Sequence, residues 1–246
     1  VQGGVTNVPD QSGLGVRVNQ VRRSFDAFLS SNLRDTNGDF ERLDTYVDKL
    51  SKLENMLLPS DSDLGTFIGR FFSSLQDVAS RPDELSARTV AIENGKALAN
   101  SFNNYDNQLK NFKSSTHKEV EDDLKVVNSL VDQLAQVNKL IMSGGSKNSS
   151  PDILDARDQL LFDLSKYINF TVDYGDSNDA IIRLGNSGNG KTLLENTDAS
   201  VLSSSIQEGR LIFKISRNAI NSINNDVSSG LLFGAKNFYD FVGEVE

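Results

Sequence analysis

Between Leu85 and Met142 the chain runs without a proline, and apolar residues return through it at steps of four and three. Leu98, Phe102, Tyr105, Leu109 and Phe112 make a first set. Val120, Leu124, Val127, Val131 and Leu134 make a second, which Asn138 and Ile141 complete. A repeat of this kind keeps one narrow seam of a helix turned toward a partner, as in a coiled coil. At ~1.5 Å per residue the helix extends on the order of 80 Å. A globular enzyme rarely uses such a rod, whereas a fibre subunit does.

The flanking segments carry helical patterns of their own. Phe25, Phe28, Leu29 and Leu33 share one face, which Leu43, Val47, Leu50, Leu53 and Leu57 continue up to Pro59. The spacing predicts a helix of ~30 residues, with a possible break at Asn37-Gly38. Ser60-Asp61-Ser62-Asp63 offers capping side chains to a second helix, whose stripe is Leu64, Phe67, Ile68, Phe71, Phe72, Leu75 and Val78. Pro82, Asp83 and Glu84 read as the start of the long helix, and Gly144-Gly145 as its end. Ser150 is the expected cap of a further helix with Pro151 in its first turn and Ile153, Leu154, Leu160, Leu161, Leu164 and Ile168 as its apolar positions.

Beyond residue 168 the period shortens. Phe170–Tyr174, Ala180–Leu184, Thr192–Glu195 and Leu211–Ile215 read as short strands separated by Gly, Asn, Asp and Ser, a small antiparallel module. Another short strand is expected at Val16–Val21. The helical period resumes after Gly230 with Leu231, Leu232, Phe238, Phe241 and Val242, in a helix expected to pack beside the first ones. The fold class is mainly α with a β insertion (α+β): an elongated bundle of long, coiled-coil-like helices carrying a small antiparallel β domain. The expected domains are a helical rod over residues 1–168, completed by 228–246, and an inserted β-rich outer domain over 169–227. Because the sequence starts at Val1 and stops inside a helical pattern, it reads as the central piece of a longer protein.

Composition narrows the functions. A formal net charge of −9 gives no basic surplus to neutralise phosphates or anionic lipid, so neither nucleic acid nor a membrane is expected as a partner. No apolar run approaches the ~20 residues of a membrane helix, and no cleavable secretory signal is visible in residues 1–30. Cysteine is absent, which removes disulfides, zinc thiolates and a cysteine nucleophile. His117 is the single histidine and lies in a polar helical stretch, so it reads as an exposed helix residue without companions for a metal or a triad.

One motif looks like chemistry. Gly185–Thr192, G-N-S-G-N-G-K-T, matches the phosphate-binding loop G-x-x-x-x-G-K-[ST], in which Gly185 and Gly190 shape the cradle, Lys191 reaches the phosphates and Thr192 holds magnesium. Its context argues otherwise. A phosphate loop leads into a helix, whereas Leu193-Leu194 soon gives way to Glu195-Asn196-Thr197-Asp198. The strand before it contains Arg183, lacks a βαβ surrounding, and no later strand ends on an acid. Gly185, Gly190, Lys191 and Thr192 are therefore read as a hairpin turn, with no cofactor. The acidic groups Glu121-Asp122-Asp123 and Asp152/Asp155/Asp158, the latter with Arg157 between its members, read as solvated helix charges and not metal ligands. With no base beside any Ser or Thr, no catalytic residue is assigned.

Four blocks in order resemble the family of flagellar hook-associated protein 1, the hook–filament junction proteins. They are Gly13–Arg34, Phe71–Arg88, Ile153–Leu164 with its I-L-D-A-R-D-Q-L-L-F-D-L, and Ser229-Gly230-Leu231-Leu232. The resemblance implies a structural, non-enzymatic subunit that self-assembles between hook and filament. Implied partners are copies of itself in a helical ring, the hook protein, the second hook-associated junction protein, and an export chaperone for a C-terminal segment outside this sequence. It also implies an extracellular location on the bacterial flagellum, reached through flagellar export without a cleaved signal. Seam residues such as Leu98, Phe102, Leu124 and Val131 are expected inside the subunit, and the subunit-facing residues are not legible. Alternatives are a second junction protein, a flagellin-like subunit, a coiled-coil adaptor, or a nucleotide-binding protein acting through Gly185–Thr192.

Overall fold

A computed structural model describes residues 26–57, 64–144, 150–217 and 220–245. The strand expected at Val16–Val21 and the caps expected at Ser60–Asp63 lie outside these residues. Along the chain run α1 (Ala27–Leu57), α2 (Leu64–Ser80), α3 (Leu85–Gly144), α4 (Pro151–Tyr167), seven strands, and α5 (Leu231–Val245). The strands are β1 (Phe170–Tyr174), β2 (Ala180–Leu184), β3 (Thr192–Glu195), β4 (Asp198–Ala199), β5 (Val201–Gln207), β6 (Arg210–Ser216) and β7 (Ile220–Ser222).

α3 is an unbroken helix of 60 residues, about 90 Å long at the usual rise. It begins at Leu85, so Pro82 stands in the turn before it and not in its first turn; Arg88 donates to the Pro82 carbonyl to close that turn. α1 passes through Asn37-Gly38 without interruption over 31 residues. Gly38 is there for proximity: a Cβ would stand 3.1 Å from both the Ser165 carbonyl and the Ser229 hydroxyl. Ser150 precedes α4 as expected, but its hydroxyl makes no capping bond; its carbonyl accepts from Ile153 and Leu154.

The two halves of the long seam behave differently. Val120, Leu124, Val127, Val131, Leu134, Asn138 and Ile141 are all buried. In the first half Phe102 is 51 % exposed, which corrects its expected place in the core. There α3 packs on α2, and its fully buried positions are the small Ala87, Ala91 and Ser101, with Gly95 against Phe71. These small side chains let α2 approach closely: a Cβ at Gly95 would lie 3.2 Å from the Phe71 ring. Of the first seam set, Leu98 and Tyr105 are half-buried and Leu109 and Phe112 pack against Leu53, Phe238 and Val242, so Phe102 is the misplaced member.

The β part consists of two antiparallel sheets, ordered β1-β2-β3-β4 and β5-β6-β7. β5 escapes a hydropathy reading because Ser203-Ser204-Ser205 fills its middle, yet it pairs with β6 in register from Val201↔Ser216 to Gln207↔Arg210. The turn between them, Glu208-Gly209, places both residues at positive φ, 51° and 76°, the two-residue geometry that suits strand twist. Alternation in β2 and β6 sends Ala180, Ile182, Leu184, Leu211, Phe213 and Ile215 inward. One core joins all of these but Ala180 to Val120, Leu124, Val127, Val131 and Leu134 of α3, to Leu161, Leu164 and Ile168 near the end of α4, and to Leu232, Ala235 and Tyr239 of α5. A second, smaller core holds α1 to α5 through Leu53, Phe238 and Val242, with Phe112 of α3 stacked edge-on to Phe238 at 5.1 Å.

This division of the seam makes a quantitative difference. Leu134→Ala is expected to destabilise the chain by about 2–5 kcal/mol, and Phe102→Ala by under about 1 kcal/mol. Urea unfolding followed by circular dichroism checks both, and equal losses would contradict the assignment.

Candidate interaction surface

The strands are held on the helices by side chains that imitate a peptide group. Asn138, buried in α3, donates from Nδ2 to the Ala180 carbonyl at 2.8 Å and the Asn196 carbonyl at 2.7 Å, and accepts the Ala180 N–H at 2.8 Å. Ten residues earlier Asn128 treats Leu202 in the same way, donating to its carbonyl at 2.9 Å and accepting its N–H at 2.8 Å. The carboxamide thus completes the backbone bonding of β2 and β5 where no strand lies beside them. Asn169 accepts from the N–H groups of Ser228 and Ser229 at 2.9 and 3.2 Å, which anchors the start of α5. The heptad reading of α3 counted Asn138 as one more seam position and had no signal for Asn128.

The turn that matches a phosphate loop sits in this frame. Residues 185–191 connect β2 to β3, which run antiparallel, and a strand follows Thr192 where a phosphate loop has a helix. Leu184 N–H donates to the Lys191 carbonyl at 2.9 Å across the loop. Gly185, with φ at 81°, lies so close to Asp226 that a Cβ would meet its carbonyl oxygen at 2.8 Å. A Cβ at Gly190 would collide with the Leu184 carbonyl oxygen at 1.8 Å. The glycines thus answer to chain packing. Lys191 points into solvent, and the Thr192 hydroxyl accepts from Arg183 at 2.7 Å.

Two readings need correction: that of the acidic groups as solvated charges, since Asp123 and Asp158 are half-buried and Asp158 is paired with a buried arginine, and that of His117. Arg157 is buried, 2 % exposed: it binds Asp158 at 3.1 Å, donates to the Asn178 carbonyl at 3.0 Å and lies over the Tyr174 ring, fastening α4 to the β1–β2 turn. His117 is half-buried between β5 and α5, 3.5 Å from the Ser204 hydroxyl and against the Tyr239 ring, not an exposed helix residue. Among the described residues no group of three or more His, Asp or Glu side chains could hold a metal ion. Among the same residues no helix is long and apolar enough to cross a membrane.

Among the described residues, what remains uncovered is mainly helix surface. The single apolar face expected on α1 divides in two. Leu53 is buried and Leu50 half-buried against α5, while Phe28, Leu29, Leu33, Phe40, Leu43 and Val47 are all more than half exposed. A second exposed set lies on the α2–α3 hairpin, at Phe72, Leu75, Leu85, Val90, Ile92 and Phe102. Beside the α1 stripe a groove of 390 Å³ opens between α1, α3 and α5, lined by Glu41, Asp44, Asp48, Glu119, Asp122 and Asp123 and floored by Leu231 and Ala235. Lys49, nearly buried, pairs with Glu119 there. Burial, followed by the neighbouring Glu119, pushes the Asp123 carboxyl up to about 6, with Lys49 opposing.

Comparison with known proteins follows the same lines. A family model described as the flagellar hook-associated protein FlgK helical domain matches residues 50–245. Flagellar hook-associated protein 1 of Salmonella typhimurium (strain LT2) is 31 % identical over 193 residues, covering 77 % of this chain and 34 % of that protein. The Bacillus subtilis (strain 168) protein of the same name is 34 % identical over 169 residues, 68 % of this chain and 33 % of that protein. This chain therefore spans about a third of the length of these relatives. The structure of the flagellar hook junction protein FlgK from Burkholderia pseudomallei shares the fold, with a TM-score of 0.75, 23 % identity, and coverage of 85 % of this chain and 38 % of that one.

Asp123 supplies a pH test. Its folded value of about 6 lies above the ~3.9 of an unfolded aspartate. The folded chain therefore binds more protons between these values, and this residue's contribution to stability falls as pH rises from about 4 to 6. Asp123→Asn is expected to raise the Tm at pH 7.5 and to leave it unchanged at pH 4. A lowered Tm at pH 7.5 would contradict the assignment.

Proposed function

The chain belongs to the flagellar hook-associated protein 1 family, and from that premise we propose that it is a structural part of the junction between hook and filament, working by self-assembly and without catalysis. The observation that carries this reading is the family match across residues 50–245. The exposed apolar stripes of α1 and of the α2–α3 hairpin support it, since an assembling subunit must present helix faces that its own core does not cover. The proposed partners are copies of itself, the hook protein, the second hook-associated junction protein and an export chaperone. The proposed location is the extracellular flagellum, reached by flagellar export without a cleaved signal. Relatives named hook-associated protein 1 favour this role over that of a second junction protein or a flagellin-like subunit.

The division of labour along the chain belongs to the same proposal. Residues 1–168 with 228–246 act as the helical rod that meets neighbouring subunits, and 169–227 as the outer β-rich part. Gly185, Gly190, Lys191 and Thr192 serve as a turn in that outer part, and neither a catalytic nor a metal-binding residue is assigned.

Deletion of the parent gene, with electron microscopy of cells and assay of flagellin in the medium, tests the role. Hooks without filaments, together with released flagellin, are expected; normal filaments would overturn it. Excess Mg-ATP is expected to leave the Tm of the purified chain unchanged. A rise that Lys191→Ala removes would establish the nucleotide-binding alternative.

A further inference from the structure

Asparagine is followed by glycine at three places, Asn37-Gly38, Asn94-Gly95 and Asn189-Gly190. In this dipeptide the glycine nitrogen can attack the asparagine side chain, because no Cβ shields it and its backbone turns freely. The attack needs a free N–H, a free carboxamide and a backbone loose enough to bring them together. One dipeptide thus meets three environments in the same fold.

Two of the three are locked. Gly38 and Gly95 lie inside α1 and α3, where their N–H groups belong to the helical bonding ladder. The Asn37 carboxamide donates to the Ser165 hydroxyl at 3.1 Å, and that of Asn94 to the Arg70 carbonyl at 3.4 Å. Attack at either place requires that a turn of helix open first.

Asn189-Gly190 lies in the 185–191 turn, outside any helix or strand, and Asn189 is exposed. Neither its side chain nor the Gly190 N–H has a hydrogen-bond partner among the described residues. Just before it Gly188, at φ 74°, has nothing within 4 Å of where a Cβ would stand, so the tip of the turn is clear of packing. Asn186 in the same turn is held: its Oδ1 accepts from Asn169 at 2.9 Å, and the Cβ of Ser187 crowds the nitrogen that follows it. Gly190 is also fixed as glycine, since a Cβ there would meet the Leu184 carbonyl oxygen at 1.8 Å. Packing keeps the glycine where solvent keeps the asparagine free.

We propose that Asn189 is a self-modification site, at which the chain converts its own asparagine to aspartate and isoaspartate. The Gly190 nitrogen gives up its proton to solvent and attacks Asn189 Cγ. A new C–N bond closes a cyclic imide as the bond from Cγ to Nδ2 breaks, and ammonia leaves with a proton returned by solvent. Water then opens the imide. Cleavage of the new bond to Cγ gives aspartate, and cleavage of the original peptide bond gives isoaspartate, with the chain rerouted through Cγ. A water is consumed and an ammonia released, and no oxidant, cofactor or second enzyme enters.

Either product sets a carboxylate close in sequence to Lys191. Isoaspartate also adds a backbone carbon to a turn that is closed by the Leu184 N–H on the Lys191 carbonyl at 2.9 Å. With Gly190 already against the Leu184 carbonyl, the lengthened turn is expected to give up that bond. The reaction depends on this turn alone, so its absence would leave the junction role standing.

The test ages the purified chain in warm neutral buffer and digests it with trypsin, whose cuts after Arg183 and Lys191 release residues 184–191 as a single peptide. Tandem mass spectrometry is expected to find amide-to-acid conversion at Asn189 at least about tenfold faster than at Asn37, Asn94 or Asn186. In urea Asn37 and Asn94 are expected to catch up with Asn189, since the fold alone separates the three. An isoaspartyl methyltransferase is expected to label the 184–191 peptide of the aged chain and not that of aged Asn189→Gln. In hydrogen exchange the Leu184 amide is expected to lose about tenfold or more of its protection in the isoaspartate form and to keep it in Asn189→Asp. Comparable rates at Asn189 and Asn37 in the native chain would overturn the proposal, and so would a difference between them that persists in urea.

Discussion

A buried carboxamide in the middle of a helix does the work of a missing strand. β2 and β5 each have a residue, Ala180 and Leu202, whose N–H and C=O face α3, and a helix has no free backbone groups to offer them. Asn138 and Asn128 supply one donor and one acceptor apiece at 2.8–2.9 Å. The apolar seam between and around them, from Val120 to Ile141, provides burial energy but no register, because hydrophobic contact is not directional. Two amides ten residues apart set where each sheet sits along the rod. From that placement follow the position of the 185–191 turn, the closing bonds from Asn169 to Ser228 and Ser229, and the return of α5 to α1.

The parts legible in the sequence are those in which one residue type acts through periodicity. The long helix, the second half of its seam, α2, α4, α5 and four strands were readable from apolar spacing and from Pro and Gly punctuation. The misplaced parts share a different physics. At Ala87, Ala91, Gly95 and Ser101 closeness matters more than hydrophobicity, so the most buried positions in this part of α3 carried little hydropathy signal. β5 draws on backbone bonding and Asn128, so its serines hid it. Asp158 read as a solvated charge because the groups that hold its partner Arg157 in place, the Asn178 carbonyl and the Tyr174 ring, are distant in sequence. The literal phosphate-loop match was answerable beforehand, because the need for a following helix is a rule about sequence order.

The same physics explains what the molecule leaves uncovered. Among the described residues α1 is longer than the core it serves: Leu53 packs against Phe238 and Val242, while Phe28, Leu29, Leu33, Phe40, Leu43 and Val47 have no cover there. The α2–α3 hairpin likewise extends past the strands. Contiguous exposed apolar surface of this kind marks a place where something packs.

The most direct test of this account is native-state hydrogen exchange on the wild type and Asn138→Ala. Losing the carboxamide leaves the buried N–H and C=O of Ala180 without this partner, at about 1–3 kcal/mol each. The Ala180 amide is expected to lose protection by roughly tenfold or more, beyond any change in global stability, while the Leu202 amide, held by Asn128, changes only with global stability. An Ala180 amide as protected in the variant as in the wild type would contradict the claim that this side chain seats the sheet on the helix.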